Sequence, residues 1–334
     1  MDLSARYLGL NLRNPLVASS SPLASTVDGV RRLASAGVAA VVLPSLFEEE
    51  LRRRAGQDAA LAQAGTESFA ESLSYFPAAA DPEPGPHQYL SLVERAAAAV
   101  DVPVIASLNG VTTGGWTDYA SALEQAGAAA IELNIYHFPA DPHVSGRDVE
   151  QRHVDVLTTV KAVVGVPVAV KLSPYFSSVG EIALRLDRTG ADGLVMFNRF
   201  LQPDIDPESL SVAGGFGLSS PADGRLPRAW IAALAGRVRA SLAASTGVED
   251  AADVAAYLLA GADVVMTTSS LLRHGPDHAT VLLSEFAAWM ARKGFHTLND
   301  LRGKLSIPAD HAEAARERAS YVSALRAADR GGSW

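Results

Sequence analysis

Hydrophobic and polar positions along this chain follow two periods. Short apolar runs rich in valine, isoleucine and alanine predict buried strands at 16–19, 38–43, 103–108, 130–134, 166–171, 193–197, 240–244 and 263–267. Between them, apolar residues recur at helical spacing, which predicts helices near 26–36, 87–99, 116–126, 148–163, 178–189, 226–237, 250–260 and 278–292. One phrase returns four times, as Ala36-Gly37-Val38, Ala126-Gly127-Ala128, Gly190-Ala191-Asp192 and Ala260-Gly261-Ala262, each followed by an apolar run. It reads as a helix end, a glycine cap and a strand start.

Strands that alternate with amphipathic helices form right-handed βαβ units and a parallel sheet. Eight such units are the count of a (β/α)8 TIM barrel. An open doubly wound sheet is the alternative, but no Gly-x-Gly-x-x-Gly follows the first strand to mark a dinucleotide-binding start. Residues 5–13 alternate and carry Gly9 and Asn11, which predicts a small N-terminal hairpin. Residues 309–327, rich in Ala, Glu and Arg, predict an extra C-terminal helix outside the barrel. We read one domain over 1–334. Its long connections at 44–86 and 198–224 have a length usual for lids or binding loops. Glu48-Glu49-Glu50, in the first, reads as a solvated helix face.

Composition narrows the chemistry. The 334 residues are 48% hydrophobic and 19% charged, with a net charge of -9 and no basic block beyond Arg52-Arg53-Arg54, which argues against a nucleic-acid partner. The absence of cysteine excludes disulfides, thiolate metal sites, an iron–sulfur cluster held by this chain and a cysteine base. With no long apolar run and no basic-then-apolar start, we expect a cytoplasmic protein without a membrane partner.

In a barrel, the C-terminal ends of the strands form the active face. They collect Ser19, Ser20, Ser45, Ser107 to Gly110 (Asn109 among them), Asn134 to His137, Lys171, Asn198, Arg199, Ser245 to Gly247, Thr268 and Ser269. Lys171 closes the run Val-Pro-Val-Ala-Val and either points into the ligand face or extends to solvent. Asn134 and Asn198 each follow a strand directly; they are turn formers or planar donor–acceptor groups suited to a heterocycle with alternating carbonyl and N–H edges. The Gly-rich 213–221 segment, which contains Ser220, belongs with Ser245-Thr246-Gly247 and Thr268-Ser269 to the late loops that usually bind phosphate through backbone N–H groups. Glu132 lies inside its strand and no second carboxylate stands at a strand end, so paired-carboxylate catalysis is not indicated. His137 and His143 lack a third metal ligand nearby.

Six stretches carry a resemblance: Asn14-Pro15-Leu16-Val17-Ala18-Ser19, Ile131-Glu132-Leu133-Asn134, Val170-Lys171-Leu172-Ser173-Pro174, Gly217-Leu218-Ser219-Ser220-Pro221, Leu259-Ala260-Gly261-Ala262-Asp263 and His274-Gly275-Pro276. Over nearly its whole length the chain resembles the dihydroorotate dehydrogenase family of FMN-containing barrels. The resemblance implies that Lys171 sits at the flavin N1/O2 edge and supports the reduced form. It implies that Ala18, Ser19 and Ser20 line the isoalloxazine, and that Ser245-Thr246-Gly247 and Thr268-Ser269 hold the phosphate. Ser45, Asn109 and Ser220 join the cofactor set, and Asn134 and Asn198 face the substrate or the flavin edge.

The departures are specific. Where the family's fourth-strand loop reads Asn-x-Ser-Cys-Pro-Asn, this chain reads Asn134-Ile135-Tyr136-His137-Phe138-Pro139. The catalytic-base position is thus His137, an imidazole able to move a proton near neutral pH. A family lysine after the second strand aligns with Leu43, and the residue after Asn198 is Arg199, a candidate carboxylate anchor or a partner for an acid at 201–210. The expected activity is FMN-dependent oxidation or reduction of a C–C bond in a dihydropyrimidine-like substrate. A homodimer, aided by a separate electron-transfer subunit, is the expected assembly. Two other readings stay open: a flavin-free lyase with Lys171 as Schiff base, and a non-catalytic electron-relay flavoprotein.

Overall fold

The structure, a computed structural model, describes residues 1–49, 86–110, 116–136, 141–199, 204–213, 217–308, 321–323 and 326. Most of the 44–86 connection, His137 to Ala140, and nearly all of the 309–327 segment lie outside them.

A two-stranded hairpin, β1 (Ala5–Tyr7) and β2 (Leu10–Leu12), opens the chain. Its turn residues Leu8 and Gly9 both have positive φ, as a two-residue hairpin turn demands. The barrel units follow: β3 (Leu16–Ala18), α1 (Val27–Ser35), β4 (Ala40–Phe47), α2 (Pro86–Ala99), β5 (Val104–Asn109), α3 (Trp116–Gln125), β6 (Ala130–Asn134), α4 (Gly146–Lys161), β7 (Val168–Leu172), α5 (Val179–Thr189) and β8 (Gly193–Met196). A second hairpin, β9 (Asp204–Asp206) with β10 (Ser211–Ala213), precedes α6 (Arg225–Leu234), β11 (Ser241–Ala244), α7 (Ala251–Ala260), β12 (Val264–Thr267), α8 (Ser269–His274) and α9 (His278–Lys293). The eight strands β3 to β8, β11 and β12 are all parallel and close into a barrel. The (β/α)8 expectation is met, and the open sheet is excluded.

Strand parity divides the core. Val17, Val42, Ile105, Ala130, Ala169, Val195, Ala243 and Met266 fill the barrel interior, and Tyr7, Leu8 and Leu12 of the first hairpin plug its lower end. The opposite parity, including Leu16, Leu43, Leu108, Ile131, Val170 and Leu194, packs against the helices. Each fully buried Leu, Val or Ile side chain contributes roughly 1.5–3 kcal/mol of transfer free energy.

The repeated phrase has a mechanical reason. Gly37, Gly127, Gly190 and Gly261 all take positive φ where a helix turns into the next strand. The aspartates beside them fasten neighbouring strands: Asp192 accepts from the Val168 backbone N–H (2.8 Å) and from Lys161 Nζ (2.8 Å), and Asp263 accepts from the Leu242 N–H (2.8 Å).

Two expectations need correction. β4 runs on to Phe47, past the predicted end at 43, because Pro44 sits where the β4–β5 register shifts between Val42 and Ser45 and no ladder donor is required. Glu48 is buried, not solvated: it starts a helical turn directly after β4, while Glu49 is exposed and Glu50 lies outside the described residues.

Candidate active site

β7 delivers Lys171 to the upper interior of the barrel. Its neighbour across the β6 ladder is Asn134, and two residues below Asn134 on the same inward face stands Glu132. Lys171 Nζ lies 3.4 Å from Glu132 Oε1 and 3.4 Å from Ser19 Oγ, with its side chain only 8% exposed and that of Glu132 1% exposed. The amine therefore does not extend to solvent. It is a buried cation fixed at the mouth between a carboxylate and a hydroxyl.

The two amides meet directly: Asn198 Nδ2 donates to Asn134 Oδ1 at 2.8 Å. Each has bonding capacity left over, since an amide offers two donors and two acceptor sites. Ser45 and Ser107 hydroxyls lie 2.8 Å apart, and Asn109, buried, ends the strand between them and Asn134. Tyr89, from α2, accepts from the Ser107 N–H (3.0 Å) and donates to its carbonyl (3.2 Å). Burial raises the Tyr89 phenol above its ordinary pKa, the Ser107 bond partly offsets this, and the charge of Glu132 adds to the rise.

Ala18 and Ser19 are buried at the end of β3, where Thr268 Oγ1 donates to the Ser19 carbonyl at 3.0 Å; Ser20 is half-buried beside them. At the late loops, Thr246 and Gly247 both have positive φ (83° and 69°), which is costly for a β-branched threonine. Thr246 is held there by Tyr257, whose hydroxyl donates to its carbonyl (2.6 Å), and by its own bond to the Phe197 carbonyl (3.0 Å). A Cβ on Gly247 would come within 2.5 Å of the Gly224 nitrogen. Its N–H donates to Ser219 Oγ (3.1 Å), which lies 2.9 Å from Ser269 Oγ. These small donors converge on a cradle that suits a phosphate.

Sequence reasoning placed Ser220 in this cradle. Ser220 is exposed and bonded to Asp223 through both its N–H (2.7 Å) and its hydroxyl (3.0 Å). The buried Ser219 occupies the cradle, one residue earlier in the same Gly217–Pro221 stretch. Arg199 is half-buried and donates to the Gly217 carbonyl at 2.6 Å, in place of an acid at 201–210. Leu43 is fully buried against the helices, so this position does not face the mouth. His137 and Pro139 lie outside the described residues.

Among the described residues, no group of three or more His, Cys, Asp or Glu could hold a metal, and no helix is long and apolar enough to cross a membrane.

A family model described as Dihydroorotate dehydrogenase matches residues 61–290. A Thermoplasma acidophilum protein named dihydroorotate dehydrogenase B (NAD(+)), catalytic subunit, is 25% identical over 308 residues, 90% of this chain and 98% of its own. A Listeria innocua protein of the same name is 31% identical over 218 residues, 61% and 69% of the two chains. A relative from Aeropyrum pernix, whose name carries the words dihydroorotate dehydrogenase A (fumarate), is 28% identical over 228 residues, 66% and 73%.

Proposed function

The chain belongs to the dihydroorotate dehydrogenase family and is an oxidoreductase of that type; from this premise we propose that it binds FMN at the barrel mouth and acts on a CH–CH bond of dihydroorotate or a related dihydropyrimidine. The observation that carries the reading is Lys171, a buried ammonium held at the mouth of a barrel whose late loops carry the Ser219–Gly247–Ser269 cradle.

The residues fit that cofactor. Gly247 packs tightly against the Gly224 and Ser220 backbone, which fixes the loop, and the Ser219 and Ser269 hydroxyls beside its N–H can turn to a phosphate. Lys171 supplies positive charge for the pyrimidine edge of a flavin, and preorganised charge of this kind is usually the largest catalytic contribution. FMN supplies the hydride acceptor. Asn134 and Asn198 hold the ring amides of the substrate. With the hydride acceptor supplied by a bound flavin, His137 would take the proton as the CH–CH bond becomes C=C. Arg199 gives up the Gly217 carbonyl to pair with a substrate carboxylate.

The chain works as a homodimer, for which the exposed Ile205, Leu210 and Val212 of the β9–β10 hairpin offer apolar surface. Electrons leave through a separate subunit, as the words "catalytic subunit" in relatives' names suggest; with no cysteine here, any iron–sulfur relay belongs to that partner. A Schiff-base lyase needs an amine with a free lone pair, and a lysine beside a buried carboxylate is arranged as a fixed cation. Purified protein should be yellow and release FMN on denaturation. Colourless protein, trapped by borohydride with a keto-substrate, would reverse the assignment in favour of the lyase.

A further inference from the structure

Glu132 has no place in the chemistry above, yet it is the most deeply buried carboxylate in the barrel interior, and only one of its oxygens is engaged. Oε1 faces Lys171 Nζ at 3.4 Å, whereas Oε2 has no hydrogen-bond partner among the described residues. The hydroxyl of Tyr7, the aromatic plug of the first hairpin, is likewise buried and unpartnered. Both Tyr7 and Tyr89 sense the carboxylate: burial raises each phenol, and the charge of Glu132 raises it further. Burying an ion is costly unless it is compensated. An apolar residue at 132 would cost nothing of the kind, because the barrel interior already holds Val17, Val42, Ile105 and Val195. Among the described residues, Lys171 is the cation that answers the carboxylate.

We propose that Glu132 is a positioning residue that fixes Lys171 as one half of a buried, charge-neutral pair and thereby sets how strongly the mouth favours the reduced, anionic form of a bound flavin. The inference rests on the FMN reading above. A lone ammonium against the pyrimidine edge would stabilise the reduced anion fully; the same ammonium with a carboxylate 3.4 Å behind it does so only in part. Glu132 thus holds the flavin potential down, which lets reduced flavin pass its electrons onward.

The test is the midpoint potential of FMN bound to the full-length protein, measured by dye equilibration in four forms: the parent, Glu132→Gln, Lys171→Met and the double variant. Glu132→Gln keeps shape and removes charge. It should raise the potential by at least a tenfold change in the reduced-to-oxidised ratio, about 30 mV for a two-electron couple. Lys171→Met should lower the potential, and adding Glu132→Gln to it should move the potential upward again. Glu132→Asp, which keeps the charge, should stay within threefold of the parent in that ratio. The second background keeps the test open if one single variant does not fold. If FMN binds and Lys171→Met lowers the potential, but Glu132→Gln changes it in neither background, the role of Glu132 is refuted and the flavin reading stands. If the folded parent holds no FMN, both fall together.

Discussion

The two ends of the barrel are both rich in polar side chains and use them in opposite ways. At the lower end, a cavity of about 1220 Å³ is lined by Arg6, Asp187, Asp192, Arg239, Asp263 and Arg302 among others. Its carboxylates are tied to backbone: Asp187 accepts from the Arg239 and Ala240 N–H groups at 2.8 Å each, Asp192 from Val168 and Asp263 from Leu242. At the upper end, a set of polar side chains bond to one another: Lys171 to Glu132 and Ser19, Asn198 to Asn134, Ser45 to Ser107, Ser219 to Ser269. Bonds between side chains can be exchanged for bonds to a ligand without opening the fold; bonds to strand N–H groups cannot. A large cavity therefore does not by itself mark a ligand site, and the exchangeable side-chain bonds are the feature that favours the mouth.

The largest effect that separates the ends is expected at Lys171. Lys171→Met should slow anaerobic flavin reduction by about 10²–10³-fold, the usual cost of deleting one preorganised charged donor, while stopped-flow absorbance and a thermal melt show a folded protein. Next is Gly247→Ala, where positive φ and the contact with Gly224 add about 1–3 kcal/mol of strain. FMN should bind about 5–150-fold more weakly by fluorescence titration. The lower end should answer in the reverse sense. Asp192→Ala leaves the Val168 N–H and Lys161 without their acceptor, and should lower unfolding stability by about 1–3 kcal/mol in a denaturant melt. The bleaching rate of its folded fraction should stay at the parent value.

These predictions draw unequally on what the sequence carried. The eight strands and their helices were legible because β-branched runs and glycine-capped helix ends are local signals, and Lys171 stood out as one of two cations at strand ends. The Glu132–Lys171 pair was not legible as a pair. It depends on the β6–β7 register, which sets Glu132 opposite Ala169 and Asn134 opposite Lys171. Shared parity of 132 and 134 with 169 and 171 could have suggested it once those strands were taken as neighbours. Tyr7 beneath the barrel and Tyr89 behind Ser107 arrive from distant segments, and nothing near them in the chain announces it. The choice of Ser219 over Ser220 turned on one position along the chain, which a Gly-rich loop does not fix.

The smallest effect sharpens the comparison at the cradle. Glu249 is raised by burial, but bonding from His274 and pairing with Arg273 outweigh this and leave its carboxyl below its ordinary pKa. Arg273 in turn donates to the Ser219 carbonyl at 2.7 Å. Because the folded value is depressed, the stabilisation is complete above the ordinary value of 4.5 and is lost as pH falls through the lowered one. Its loss should weaken FMN retention by less than about 1 kcal/mol, read as FMN released into a filtrate along an acid series. Glu249→Gln should flatten that dependence.

The proposed activity needs a mouth that holds FMN against Lys171 and takes a hydride from a cyclic ureide. Its most direct test is anaerobic mixing of the purified protein with dihydroorotate, dihydrouracil and dihydrothymine while the flavin absorbance is followed. We expect one of these to bleach the flavin, at a rate that Lys171→Met reduces by about two orders of magnitude or more. A bound flavin that none of them reduces, or one that the methionine variant reduces as fast as the parent, would contradict it.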